Sequence, residues 1–245
     1  MYDIFLGGLQ GLTEFFPVSS SGHLGLAHRL LGVDTDVLAR TVLFHIGTLL
    51  ACGTFFFKDI GAYLRQRRML GYILIVTLIT AGFGILFKKI IEPLFGSPVG
   101  IGALLLVNGI LLLATRWAGP GRRRIGLLES VVMGLVQGIA ILPGISRSGI
   151  TITALLLRGC DRQEAFRFSF IASLPAVAAA FIFEETIAGN SHLLKDPSIY
   201  LGVASAYLMG LTALYVLKGL VMLKRFYLFG FYSLAVGALA LLALR

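Results

Sequence analysis

The stretch QGLTEFFPVSSSGHL, Gln10 to Leu24, sets a glutamate, three serines, a histidine, a proline and two glycines into a chain that is otherwise mostly hydrocarbon. A second stretch, LPGISRSGIT (Leu142 to Thr151), repeats the theme with an arginine among its serines. How these two breaks are read decides the fold. Around them lie 245 residues that are 57% hydrophobic, with mean hydropathy +0.90 and only 13% charged side chains. A soluble domain carries about 25% charged residues, and several apolar runs here approach the roughly 20 residues that cross a bilayer. The composition predicts an all-α integral membrane protein folded as a single membrane domain.

The net charge of +9 suggests nucleic acid at first sight, but the charges are not spread along a binding face. They form four clusters between the apolar runs: Lys58, Arg65, Arg67 and Arg68; Arg116 and Arg122–Arg124; Arg158, Arg162 and Arg167; Lys218, Lys224 and Arg225. Such punctuation is a topology signal, with basic loops on the cytoplasmic side, and no nucleic-acid partner is expected. The opening MYDIFLGGLQG has neither a basic leader nor a small-residue cleavage site and is read as mature structure. Cys52 and Cys160 fit no metal spacing and are read as small apolar fillers.

With all four clusters on one side, six full spans follow at 37–57, 70–91, 99–117, 164–187, 198–218 and 226–244. Segments 3–31 and 127–158 remain, each broken in the middle, by Pro17 with its serines and by Pro143-Gly144 respectively. An arm such as 3–16 reaches only about 21 Å as a helix, short of the roughly 30 Å core. Basic residues flank both ends of 127–158, which predicts a re-entrant hairpin, and 3–31 is read likewise from the opposite face. Shifting the chain so that Gly7 falls on Gly134 also sets Gln10 on Gln137, Gly11 on Gly138, Ser19 on Ser146, Ser21 on Ser148 and Gly22 on Gly149. Each half, 1–117 and 127–245, then holds one hairpin and three spans. Three is odd, so the second half is inverted. Inverted repeats with broken helices place a site near the membrane midplane, where irregular backbone is tolerated only under cover of protein or a wet cavity.

Each second arm begins in serine, a favoured helix cap. The N–H groups and positive dipole of such a start attract anions, so Ser19, Ser21, Gly22, Ser146, Ser148 and Gly149 are candidate anion-binding residues as well as caps. Arg147 adds a planar cation suited to phosphate. Glu14 lies one helical turn after Gln10, on the same face. Beside an anion site these two are candidate ligands for a hard divalent cation, Mg²⁺ or Ca²⁺, and Glu14 is equally a candidate general base. Ser20 is a nucleophile if a base activates it, and His23 can carry a proton near neutral pH. Together they point to phosphoryl transfer inside the bilayer. His45 and Asn108, also within spans, are read as interhelical hydrogen bonders.

The two motifs closely resemble the undecaprenyl-diphosphatase family of the bacitracin-resistance type. That family carries an (E/Q)xxxE helix followed by PVSS(S/T)GH, and a second motif PG(T/F)SRSG. The segment FRFSFIASLPAVAAA, Phe166 to Ala180, resembles a further family segment that opens on FSF and contains a proline. The resemblance spans nearly the whole chain. It implies metal-dependent removal of the terminal phosphate from a C55 polyprenyl diphosphate, at a site open to the outer face of the cytoplasmic membrane, which recycles the lipid carrier for cell-wall synthesis. By position it makes Glu14 the essential glutamate, Ser20 the proposed nucleophile, His23 the motif histidine and Arg147 the phosphate-binding arginine. Whether serine or histidine attacks phosphorus stays open, as does oligomeric state, a homodimer included. Gln10 stands where many members have Glu, which lowers the local negative charge. A transporter that moves polyprenyl phosphate without hydrolysis is the alternative. A lipid phosphatase of the vanadium-haloperoxidase-like type is excluded, because it needs His and Asp where Thr153 and Leu157 stand.

Overall fold

The computed structural model describes residues 2–31, 35–95, 97–188, 193 and 195–243. Among them eleven α-helices run in order: α1 (Tyr2–Phe15), α2 (Ser20–Leu31), α3 (Thr35–Phe55), α4 (Phe57–Leu64), α5 (Arg67–Phe95), α6 (Pro98–Ala114), α7 (Leu127–Ile139), α8 (Arg147–Leu157), α9 (Arg162–Ala188), α10 (Pro197–Met222) and α11 (Leu228–Ala243). A 3₁₀ turn, Thr115–Trp117, extends α6. The protein is all-helical.

Among the described residues, four helical stretches are long and apolar enough to cross a membrane: Arg67–Phe87, Pro98–Trp117, Arg162–Ile182 and Pro197–Met222. Their surfaces suit lipid. Leu74, Leu78, Ile85 and Leu86 of α5 are all exposed, as an apolar solvent allows. The expected span 37–57 is where the structure departs from the sequence reading. α3 and α4 meet at an angle of 72°, and only together do they make a fifth candidate span. The bend falls at Phe56, which is buried and stacks on Phe170 with ring centroids 5.7 Å apart. Phe166 packs on Phe56 at 5.5 Å. Gly53 and Thr54 precede this point and Lys58 and Asp59 follow it, but no proline marks a bend here. The expected sixth span, 226–244, corresponds to α11, which begins at Leu228 and is shorter; residue 244 lies outside the described residues.

Helix starts follow elementary capping. Ser97 caps α6 by accepting from the Gly100 amide, with Pro98 at the first helical position, and Asp196 caps α10 by accepting from Ser198, with Pro197 next. Proline suits that position because its missing N–H would be unsatisfied anyway. An ion-pair cluster ties α1, α3 and α10 together: Arg40 reaches Asp3 at 2.7 Å and Asp196 at 2.8 Å, and the Ser198 hydroxyl also donates to Asp3. A second cluster gathers Arg158 at 2.8 Å and Arg123 at 3.4 Å on Glu129, at the start of α7.

The closest helix packing is α1 against α10. A Cβ placed on Gly7 would lie 2.0 Å from the carbonyl oxygen of Gly202, so the two backbones touch directly. This close approach seats α1 against α10, while Pro17 and the serines set where α1 ends. Substitution Gly7→Val should destabilise the protein by about 1–3 kcal/mol through overpacking, measured by thermal unfolding in detergent. Gly53→Ala, where nothing lies within 4 Å of the added atom, should melt close to wild type.

Candidate active site

Both breaks fall where the prolines, glycines and serines stand. α1 stops at Phe15 and α2 starts at Ser20; α7 stops at Ile139 and α8 starts at Arg147. Each of these four helices is shorter than the bilayer core, between about 16 and 21 Å at 1.5 Å per residue. Their broken ends meet inside the protein.

The junction is built from backbone and hydroxyl groups. Ser19 takes the left-handed conformation, φ 65°, which costs a serine something and aims its side chain into the junction. Its Oγ accepts from the amide of Gly22 at 3.2 Å and from the amide of Gly144, in the other break, at 3.1 Å. Gly22 and Gly144 sit against each other so closely that a Cβ on Gly22 would lie 3.1 Å from the Cα of Gly144. Ser146 caps α8 by accepting from the Gly149 amide at 3.2 Å, and Ser148 donates to the carbonyl of Phe15 at 2.9 Å. Asn108 of α6 closes the joint. Its Nδ2 donates to Pro17 O at 3.0 Å and its Oδ1 accepts from the Ser146 amide at 3.0 Å, so one buried amide binds both breaks.

On this platform the chemistry-bearing side chains converge. The guanidinium of Arg147 donates to Glu14 Oε1 and, through Nη1, to the Ser173 hydroxyl at 2.5 Å. Glu14 is 10% exposed and Arg147 20%, so both charges lie largely inside the protein and neutralise one another. The other carboxylate oxygen, Oε2, accepts from Ser20 Oγ at 3.1 Å and from Gln10 Nε2 at 3.3 Å. The imidazole Nε2 of His45 lies 3.5 Å from the same oxygen. One small cavity is lined by Glu14 itself with Thr48, Cys52, Arg147 and Leu174; a second is lined by two of its hydrogen-bond partners, Gln10 and Ser20, with Thr13, His23 and Thr41.

The residues singled out in the sequence divide into two groups. Gln10, Glu14, Ser20 and Arg147 come together in one contact network. Ser19, Gly22, Ser146, Ser148 and Gly149 form the joint beneath it, and Ser21 Oγ pairs with Ser19 Oγ at 3.3 Å. His23 stands apart from Glu14 and Arg147. Its Nδ1 lies 2.9 Å from Ser19 O and its Nε2 2.8 Å from Tyr232 Oη, with the rings stacked, although it shares a cavity wall with Ser20.

Three participants were not assigned to the site from the sequence. His45 does hydrogen-bond between helices, as read, but its partners are site residues. Ser173 orients Arg147, and Asn108 locks the breaks. An imidazole and an amide within otherwise apolar spans were the available signals.

A family model for bacitracin resistance protein BacA matches residues 3–239. The chain belongs to the BacA family. Full-length relatives agree: it is 38% identical over 259 residues to the undecaprenyl-diphosphatase of Korarchaeum cryptofilum, covering 98% of this chain and 97% of the relative. It is 37% identical over 244 residues to the undecaprenyl-diphosphatase of Thermotoga maritima, covering 98% and 99%. It is 39% identical over 270 residues to that of Desulfatibacillum aliphaticivorans, covering 98% and 97%. The BacA match and the candidate spans together make this a multi-pass membrane protein.

Within this BacA chain the joint should depend on the Asn108 amide. Asn108→Ala strands the Ser146 amide and the Pro17 carbonyl, and should cost about 1–3 kcal/mol. The loss should appear as a lower unfolding temperature in detergent, with helix content at low temperature unchanged.

Proposed function

We propose that the protein hydrolyses undecaprenyl diphosphate to the monophosphate and inorganic phosphate at the Glu14–Arg147 junction. The undecaprenyl-diphosphatase activity follows from family membership over the full chain; the roles of individual residues are our reading of the geometry. The observation that carries it is the direct bond between Glu14 of the first break and Arg147 of the second. It sets a carboxylate, a guanidinium, a hydroxyl and two helix starts around one point.

The reaction proceeds from that contact. The terminal phosphate draws the Arg147 guanidinium from Glu14 onto its own oxygens, while the amide ends of α2 and α8 supply partial positive charge. Glu14, released from its cation, takes the proton of Ser20 Oγ, to which it is already hydrogen-bonded. The serine oxygen forms a bond to the terminal phosphorus, and the bond to the bridging oxygen breaks. Undecaprenyl phosphate leaves with the electron pair. Water then attacks the phosphorus, the Ser20 oxygen leaves and takes back the proton held by Glu14, and inorganic phosphate departs carrying the protons of the water. Both nitrogens of His23 face partners other than the carboxylate and guanidinium, which supports Ser20 over His23 as the attacking group and leaves His23 to brace the turn and carry protons.

The donors also fit a divalent cation. Glu14 offers carboxylate oxygens, and Gln10 Oε1 is buried without a hydrogen-bond partner. These oxygens would hold Mg²⁺ or Ca²⁺, with phosphate and water completing the shell. When bound, such an ion offsets the negative charge that builds on the phosphate oxygens.

The finer topology belongs to the same proposal: two inverted repeats, two re-entrant hairpins and six crossings in the cytoplasmic membrane, with the site open to the outer face. Supporting it, α1 packs on α10 as α7 packs on α5, and α6 packs on α11. The cap from Ser19 to Gly22 in one break matches that from Ser146 to Gly149 in the other.

Glu14→Ala and Arg147→Ala should each lower kcat/KM by at least about a hundredfold, the loss of about 2.7 kcal/mol of transition-state stabilisation. Phosphate release from polyprenyl diphosphate by detergent-solubilised protein checks this; near-normal turnover in either variant overturns the assignment. Chelator should stop wild-type turnover, and returning Mg²⁺ or Ca²⁺ should restore it. Lipid movement across reconstituted vesicles without phosphate release would favour transport instead.

A further inference from the structure

His45 reaches the site from α3, outside both breaks. Three side-chain tips lie in a triangle there. Glu14 Oε2 and His45 Nε2 are 3.5 Å apart, His45 Nε2 and Gln10 Nε2 are 3.1 Å apart, and Gln10 Nε2 and Glu14 Oε2 are 3.3 Å apart. Ligands at about 2.0–2.1 Å from one ion stand about 3.3 Å apart when tetrahedral and about 3.0 Å apart when octahedral. The triangle therefore has the dimensions of one face of a metal site.

Each corner can present a lone pair. Arg147 engages Glu14 through Oε1, so an ion at Oε2 would share that oxygen with the Ser20 hydroxyl, one lone pair each, and not with the guanidinium. His45 Nδ1 lies 3.2 Å from the carbonyl of Val42. A proton on Nδ1 donates to that carbonyl and leaves the Nε2 lone pair facing the other two tips, the arrangement typical of metal-bound histidine. Gln10 presents its N–H₂ at the triangle in this structure, while its Oε1 is buried without a partner. A half-turn of the amide exchanges the two and brings an oxygen to the third corner. Without an ion the N–H₂ group bridges Glu14 and His45; with one, the oxygen takes its place.

We propose that His45 is a third ligand of the cation site and makes it bind divalent transition ions, Mn²⁺ through Zn²⁺, more tightly than Mg²⁺ or Ca²⁺. The proposal rests on the reading that Glu14 and Gln10 hold a cation, and it extends that reading to a residue outside both motifs. The chemistry is one of exchange. Where the acid-rich form of the motif supplies a second carboxylate, this chain has a neutral amide at Gln10. The imidazole adds a strong neutral donor beside it, and imidazole favours the transition series over the oxygen-seeking alkaline earths.

The test is metal binding itself. The full chain, purified in detergent and stripped with chelator, is titrated with Co²⁺, followed by its visible absorption, and with Zn²⁺ and Ca²⁺ by calorimetry. Wild type should bind Co²⁺ and Zn²⁺ more tightly than Ca²⁺. His45→Gln should weaken Co²⁺ and Zn²⁺ by at least about a hundredfold, above the range for groups that only orient a ligand, and should change the Co²⁺ spectrum. Its Ca²⁺ affinity should stay within about threefold, since oxygen donors remain, and this retained binding also shows that the variant is folded. Should His45→Gln fail to fold, His45→Asn takes the same measurement. Wild-type affinity and spectrum for Co²⁺ in the variant would overturn the role of His45 while leaving the Glu14–Gln10 cation site standing. Failure of wild type to bind any of the ions would overturn both.

Discussion

A carboxylate and a guanidinium meet in the middle of an apolar molecule, and the rest of the structure is arranged around that contact. Either charge alone would be expensive at this depth. Paired and hydrogen-bonded, they are tolerated, although pairs of this kind seldom add net stability over well-packed hydrocarbon. Their retention is therefore better explained by chemistry than by folding. Removing one partner would strand the other, and in the proposed mechanism an arriving phosphate would do just this to Glu14 while itself satisfying Arg147. On that proposal the resting pair holds the base and the anion clamp in mutually neutral form until a substrate would separate them.

Bringing these residues together requires broken helices, because an unbroken span would hold Glu14 and Ser20 a helix turn and a half apart along one axis. The breaks free backbone groups inside the protein, where none can be left unpaired without cost. The joint answers that demand with its own parts: Ser19 serves the amides of both breaks, Ser148 satisfies the Phe15 carbonyl, and Asn108 bridges Pro17 and Ser146. The close contact of Gly22 with Gly144 lets the two turns approach near enough for those bonds to form.

Much of this was legible in the sequence, for reasons that also mark where legibility ends. Pro17, Pro143 and the serines announce breaks because their effects are local: a ring that blocks helix continuation and hydroxyls that cap. Glu14 and Arg147 stand out because ionisable groups are rare in hydrocarbon. The bend at Phe56 gave no such sign. It is held by packing on Phe166 and Phe170, more than a hundred positions away in the chain, and no local residue pattern encodes that. His45 was likewise visible as a polar residue in a span and Ser173 was not singled out; their partners depend on how α3 and α9 pack against α1 and α8. His23 shows the converse: its motif position suggested chemistry, and its side-chain contacts are with Ser19 and Tyr232.

The two broken segments share one part of their sequence pattern and differ in the rest, and the difference makes one site and not two. Ser19 and Ser146 occupy matching positions and perform the same cap, so the shared part of the pattern is the part that folds the break. The residue after each cap differs. Ser20 follows one and Arg147 the other, and both side chains turn to Glu14. The position matching Glu14 in the second half is Ile141, and Gln137, which matches Gln10, spends its amide on Thr80. The two breaks thus contribute different parts: one carries the carboxylate and the hydroxyl, the other the cation. Of the serines at the two breaks, Ser19, Ser146 and Ser148 are committed to backbone groups, and Ser21 pairs with Ser19. Ser20 alone among these hydroxyls is hydrogen-bonded to the carboxylate, which is the physical ground for reading it as the group that reacts.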